Sequence, residues 1–216
     1  FWLLALAGMT CLKTLRKEFS WQMALAVSAI TQAAVYSIVL NFSQVNDYPF
    51  SLGWLETTPF YSASILFANK LYGISLPLPL MNETVVLMRA APFFIGNVPI
   101  WIHRAWFAIL SVGLTIALAA VIIRRWRVRG NRMIFLVAAW IYIYLMQGPV
   151  QAHLLACAII LIASYRPQEF WLATVGVFLA SIWAGISRIN WYPVPGLFAA
   201  VLYLLEVPVE ASGSRL

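Results

Sequence analysis

The sequence predicts an all-α protein, a polytopic transmembrane helix bundle with an external loop that carries short interfacial helices. Three observations carry this. Of 216 residues, 63% are hydrophobic and only 10% are charged, too few to cover the apolar surface of a soluble domain. The apolar residues fall in long runs separated by short polar or proline-rich connectors, as spanning helices require. Five arginines (Arg124, Arg125, Arg127, Arg129 and Arg132) stand between two of these runs, and a short basic connector of that kind stays cytoplasmic. The same bias explains the formal charge of +7; no basic stripe or nucleic-acid module is present, so the bilayer and not nucleic acid is the expected partner.

The first apolar run ends at Leu12, short of the roughly 20 helical residues that cross a bilayer. The chain opens on Phe1, and the basic segment 13–17 follows that run instead of preceding it, unlike a signal peptide. The expectation is therefore one transmembrane domain of a longer polytopic protein, spanning 1–216 with about six to seven membrane segments. Residues 21–40 form the first full span, leading outward. An external loop over about 41–104 follows, where six prolines forbid one continuous helix. Within it, 59–72 reads as a helix lying along the interface, and 83–91 as a second.

Residues 105–123 lead back to the arginine cluster, so the 124–132 loop is cytoplasmic. Residues 133–146 go out, Gln147, Gly148 and Pro149 turn, 152–165 return, 166–169 turn inside, 170–186 go out, and 191–205 return. The segments 133–146 and 152–165 are each about 21 Å of helix, short for a span. One kinked helix through Gly148 and Pro149 is the competing topology. With the hairpin, ten of the fourteen Lys and Arg residues lie inside and Lys70, Arg89, Arg104 and Arg188 lie outside. Cys11 and Cys157 read as small buried hydrophobes, not as a disulfide or nucleophile.

The outer face thus collects the chemistry. Asp47, the only aspartate, sits in Asn46-Asp47-Tyr48-Pro49 just past a spanning helix. It reads either as an Asx-type turn or as a carboxylate that takes a proton or holds a divalent cation. Arg89, Arg104 and Arg188 read either as snorkelling side chains or as an anion site, since guanidinium forks match phosphate oxygens. Arg188 leans to the second, because Gly185 to Gly196 places a charge, two prolines and a glycine at one helix junction. His103 is a further candidate for the substrate. His103 and His153 lack a second ligand at metal spacing, so no zinc site is read.

The segment Asp47-Tyr48-Pro49-Phe50-Ser51-Leu52-Gly53-Trp54-Leu55-Glu56, with Phe60 to Ala68 and Leu71-Tyr72-Gly73, resembles the first external loop of GT-C type membrane glycosyltransferases of bacteria. The resemblance covers about 41–104. It implies transfer of a sugar from a polyprenyl-phosphate carrier at the outer face of the bacterial plasma membrane, in cell-envelope chemistry. It further implies Asp47 as acceptor base or ligand of a divalent cation and Glu56 as an auxiliary carboxylate. Arg89, Arg104, Arg188 and His103 are then the residues for the lipid-phosphate-linked sugar. Two other readings stay open: a transporter or flippase, although the spans carry almost no charge and no visible repeat, and a non-catalytic structural membrane subunit.

Overall fold

The computed structural model describes residues 1–49, 54–77, 83–126, 136–137, 139 and 152–206. Every regular element among them is helical: α1 (Trp2–Leu15), α2 (Trp21–Ser43), α3 (Trp54–Ile65), α4 (Ala68–Tyr72), α5 (Glu83–Ala90), a 3-10 turn (Ala91–Phe94), α6 (Ile100–Trp126), α7 (Ala152–Ser164), α8 (Phe170–Ser187), a second 3-10 turn (Ile189–Trp191) and α9 (Val194–Glu206). Among the described residues three stretches, Trp21–Ser43, Ile100–Arg125 and Phe170–Ser187, are long and apolar enough to cross a membrane. The expected segment 133–146, its Gly148-Pro149 turn, the arginines beyond Arg125 and the tail after Glu206 lie outside the described residues.

Local chemistry explains the boundaries. Ser20 caps α2 by accepting a hydrogen bond from the Met23 amide at 3.1 Å. The expected interfacial helix over 59–72 is two helices, the first beginning at Trp54 with Pro59 inside it. Gly73, at φ 68°, ends the second in the left-handed conformation that a side chain resists. Pro92 cannot extend α5, which tightens into the 3-10 turn. Helix α6 starts directly after Pro99, with the Ile102 amide donating to the Pro99 carbonyl at 3.0 Å. It therefore takes in His103 and Arg104, which the sequence alone assigns to the 41–104 loop.

The chain divides into two compact units: Phe1–Gly53 with Ala91–Ala152, and Trp54–Ala90 with His153–Leu216. In the first, α1 packs on α2 through small residues. Ala5 and Ala24 are fully buried, the Ser28 hydroxyl donates to the Ala5 carbonyl at 3.0 Å, and Gly8 lets Ser28 approach. Cys11 is exposed on α1, contrary to its reading as a buried residue. Helix α2 also packs on α6.

In the second unit the core joins α7, α8 and α9 through Cys157, Leu161, Tyr165, Ala180, Ala184, Ala199 and Leu202. The turn between α7 and α8 is closed by the Glu169 amide donating to the Arg166 carbonyl at 3.0 Å and by the Arg166–Glu169 ion pair at 2.8 Å. Helix α8 is polarised the opposite way from a soluble helix. Its buried residues are Gly176, Ala180, Ser181, Ala184 and Ser187, while Phe170, Trp171, Phe178, Leu179 and Ile182 are exposed. Small residues inward and large apolar residues outward suit a helix packed in hydrocarbon, where close backbone approach replaces the hydrophobic effect.

Candidate functional site

In the first unit the turn after α2 is built around Asn46. Its side-chain oxygen accepts from the Tyr48 amide at 3.1 Å, so the Asx turn expected of Asp47 belongs to its neighbour. Asp47 occupies the middle of that turn with its side chain exposed, and no hydrogen bond or ion pair to its carboxylate is found among the described residues.

Arg104 holds this turn in place. Its Nη1 donates at 2.7 Å to the Asn46 carbonyl, the Asn46 side-chain oxygen and the Tyr48 carbonyl, and Nη2 reaches the Pro49 carbonyl at 3.5 Å. Only 8% of the residue is exposed. A positive side chain in the first turns of α6 thus anchors backbone carbonyls of the 46–49 segment. Arg104→Ala is expected to cost about 2–3 kcal/mol, because the Asn46, Tyr48 and Pro49 carbonyls lose a charged donor. Thermal unfolding in detergent and faster proteolysis around 44–49 measure it; an unchanged midpoint would mean that the bonds are not formed in solution. His103, next in the chain, is buried against Phe93, with ring centroids 4.2 Å apart.

A divalent cation does not fit beside Asp47. The neighbouring oxygens of Asn46 and Tyr48 already accept from a guanidinium, which a metal ion would have to face. Among the described residues no group of three or more His, Cys, Asp or Glu is arranged to hold a metal.

In the second unit Glu56, Arg89, His153 and Arg188 come together. Arg89, on α5, is only 6% exposed. Its guanidinium carbon lies 4.5 Å from the centre of the Phe60 ring, and Nη1 donates to the Glu56 carbonyl at 3.3 Å. Glu56 and Phe60 are four residues apart on α3 and so share a helix face, which presents a carbonyl and an aromatic plane to one guanidinium. Burial lowers the Arg89 pKa to about 10, while the Glu56 charge raises it; the group remains a cation at neutral pH. A guanidinium kept partly dry is preorganised for an anion, whose charge would offset the desolvation.

His153 opens α7, and its carbonyl accepts from the Trp183 indole at 2.7 Å. The charges of Arg188 and Arg89 both reach its ring. Arg188 terminates α8 in extended conformation, with φ −156° and ψ 131°, and is exposed. Sequence reasoning chose Arg89, Glu56 and Arg188 but set His153 aside as a lone histidine. The one available signal was its place beside the 147–149 connector, on the same predicted side as the arginines. The sequence reads Phe60 only as part of the interfacial helix over 59–72 and of the loop resemblance, and its contact with Arg89 leaves no local signal. Asp47, His103 and Arg104 belong to the first unit, and Glu56, Arg89 and Arg188 to the second. Comparison with protein-family models, curated proteins and solved structures gives no match.

Proposed function

We propose that the chain acts as a membrane glycosyltransferase, moving a sugar from a lipid-phosphate carrier at the outer face, with Arg89 and Arg188 binding the carrier phosphate. The supporting observation is the gathering of Arg89, Arg188, His153 and Glu56 in one unit, with Arg89 buried and still cationic. In the reaction, an acceptor hydroxyl oxygen bonds to the anomeric carbon as the bond from that carbon to the phosphate oxygen breaks. Negative charge grows on the departing lipid phosphate, where fixed guanidinium groups stabilise it more than they stabilise the bound donor. The acceptor proton passes to a carboxylate; the resemblance gives that role to Asp47 and an auxiliary one to Glu56, and Glu56 is the carboxylate in the same unit as the two arginines.

The test is donor affinity in Arg89→Lys and Arg188→Lys. Each keeps the charge and loses the two-pronged contact, so apparent donor affinity is expected to fall about tenfold. Donor binding at the original level in both variants would end the phosphate assignment. Orientation is tested separately by cysteine labelling of intact cells. A cysteine at position 45 is expected to react with an impermeant probe, and one at position 128 to be protected. Reaction at 128 would overturn the orientation.

A further inference from the structure

Helix α8 presents a second feature, away from its Arg188 end. Phe170, Ala173, Thr174, Val177, Phe178 and Ser181 all line a cavity of about 520 Å³. Their spacing of three and four is one face of the helix, so the cavity is a trough about 16 Å long running down α8. Tyr165, Tyr192 and Tyr203 supply further wall, and Arg166 stands with Pro167 at the end where α7 turns into α8. Tyr165 and Ser181 are buried, whereas Phe170 and Phe178 are exposed at the rim.

We propose that this trough is a binding site for an anionic phospholipid, with one acyl chain laid along α8 and the phosphate held at Arg166. A largely apolar trough that runs about 16 Å along a helix apolar enough to span a bilayer matches a linear hydrocarbon chain better than a compact solute. Arg166 selects the headgroup. Its ion pair with Glu169 is more than half exposed on the arginine side and nearly so on the other, so it is weak enough for a phosphate to displace. Arg166 then gains a charged partner at the membrane surface, where anionic lipid attracts basic side chains. The proposal rests on α8 spanning the membrane and is independent of the transfer reaction.

Native mass spectrometry of the detergent-solubilised full chain, with phosphatidylglycerol or phosphatidylcholine added, tests it. The expected result is a retained phosphatidylglycerol that phosphatidylcholine does not displace, with a preference reduced about fivefold in Arg166→Gln. Thr174→Trp fills the trough from its exposed rim, away from the core, and is expected to lose the retained lipid. Val175→Trp, on the exposed side of α8 outside the trough, is expected to keep it and controls for lipid that merely coats the helix. Equal retention of both lipids, or an unchanged preference in Arg166→Gln, would overturn the headgroup assignment. Retention by Thr174→Trp would overturn the trough. Competition by soluble glycerol phosphate as strong as by the lipid would assign Arg166 to a free phosphate and remove the acyl chain from the site.

Discussion

Asp47→Asn is expected to lower sugar transfer by roughly 100- to 10,000-fold while the protein folds and inserts as before. The substitution removes a charge and a proton acceptor and keeps the shape. Little in the fold depends on that carboxylate, because the turn is closed by Asn46 and anchored by Arg104 through the oxygens of Asn46, Tyr48 and Pro49. A large loss of rate with an unchanged unfolding midpoint would therefore report chemistry. Arg104→Ala supplies the contrast, since it loosens the turn and leaves the carboxylate in place. If Asp47→Asn retains full transfer, the acceptor base is elsewhere, and Glu56→Gln is the next variant to measure.

Gly176→Val is expected to destabilise the α7–α8 hairpin by about 3 kcal/mol or more. A Cβ at Gly176 would overlap the Ser164 hydroxyl and come within 2.6 Å of the Ser164 Cβ. The sign is informative because a glycine inside a helix is usually improved by alanine, by about 1 kcal/mol. Here even Gly176→Ala is expected to destabilise. The double variant Gly176→Ala with Ser164→Gly opens the missing space and is expected to recover most of the loss, giving a coupling energy on the order of 1–3 kcal/mol. Simple addition of the two single effects, measured by denaturant titration in detergent, would mean that the helices separate enough to accommodate the methyl group.

Much of the helical outline was legible because its causes are local. Expected spans over 21–40, 105–123 and 170–186 correspond to α2, α6 and α8, and 152–165 to the shorter apolar helix α7, since a long apolar run has few alternatives and Ser20, Pro99 and Pro92 mark ends by capping or by lacking an amide. Two helices start earlier in the structure than the sequence places them: α6 at Ile100 and not at 105, which takes in His103 and Arg104, and α3 at Trp54 and not at Pro59. Arg104 stays helical and buried because carbonyls distant in sequence satisfy it, and no window along the chain contains both partners.

Composition and periodicity by themselves determined that the chain is helical, that it has segments able to cross a membrane, and which few polar residues stand apart from the apolar runs. Tertiary structure decided how those residues are distributed. It assigned Arg104 to the carbonyls of the 46–49 turn, brought Arg89 over Phe60 beside Glu56, and put His153 within reach of two arginine charges. It also paired Gly176 with Ser164 and Gly8 with Ser28. Secondary structure follows from hydrogen bonds and apolar spacing within a few residues, whereas a buried charge or a helix contact depends on groups well beyond one helical turn along the chain, which only the folded chain brings together.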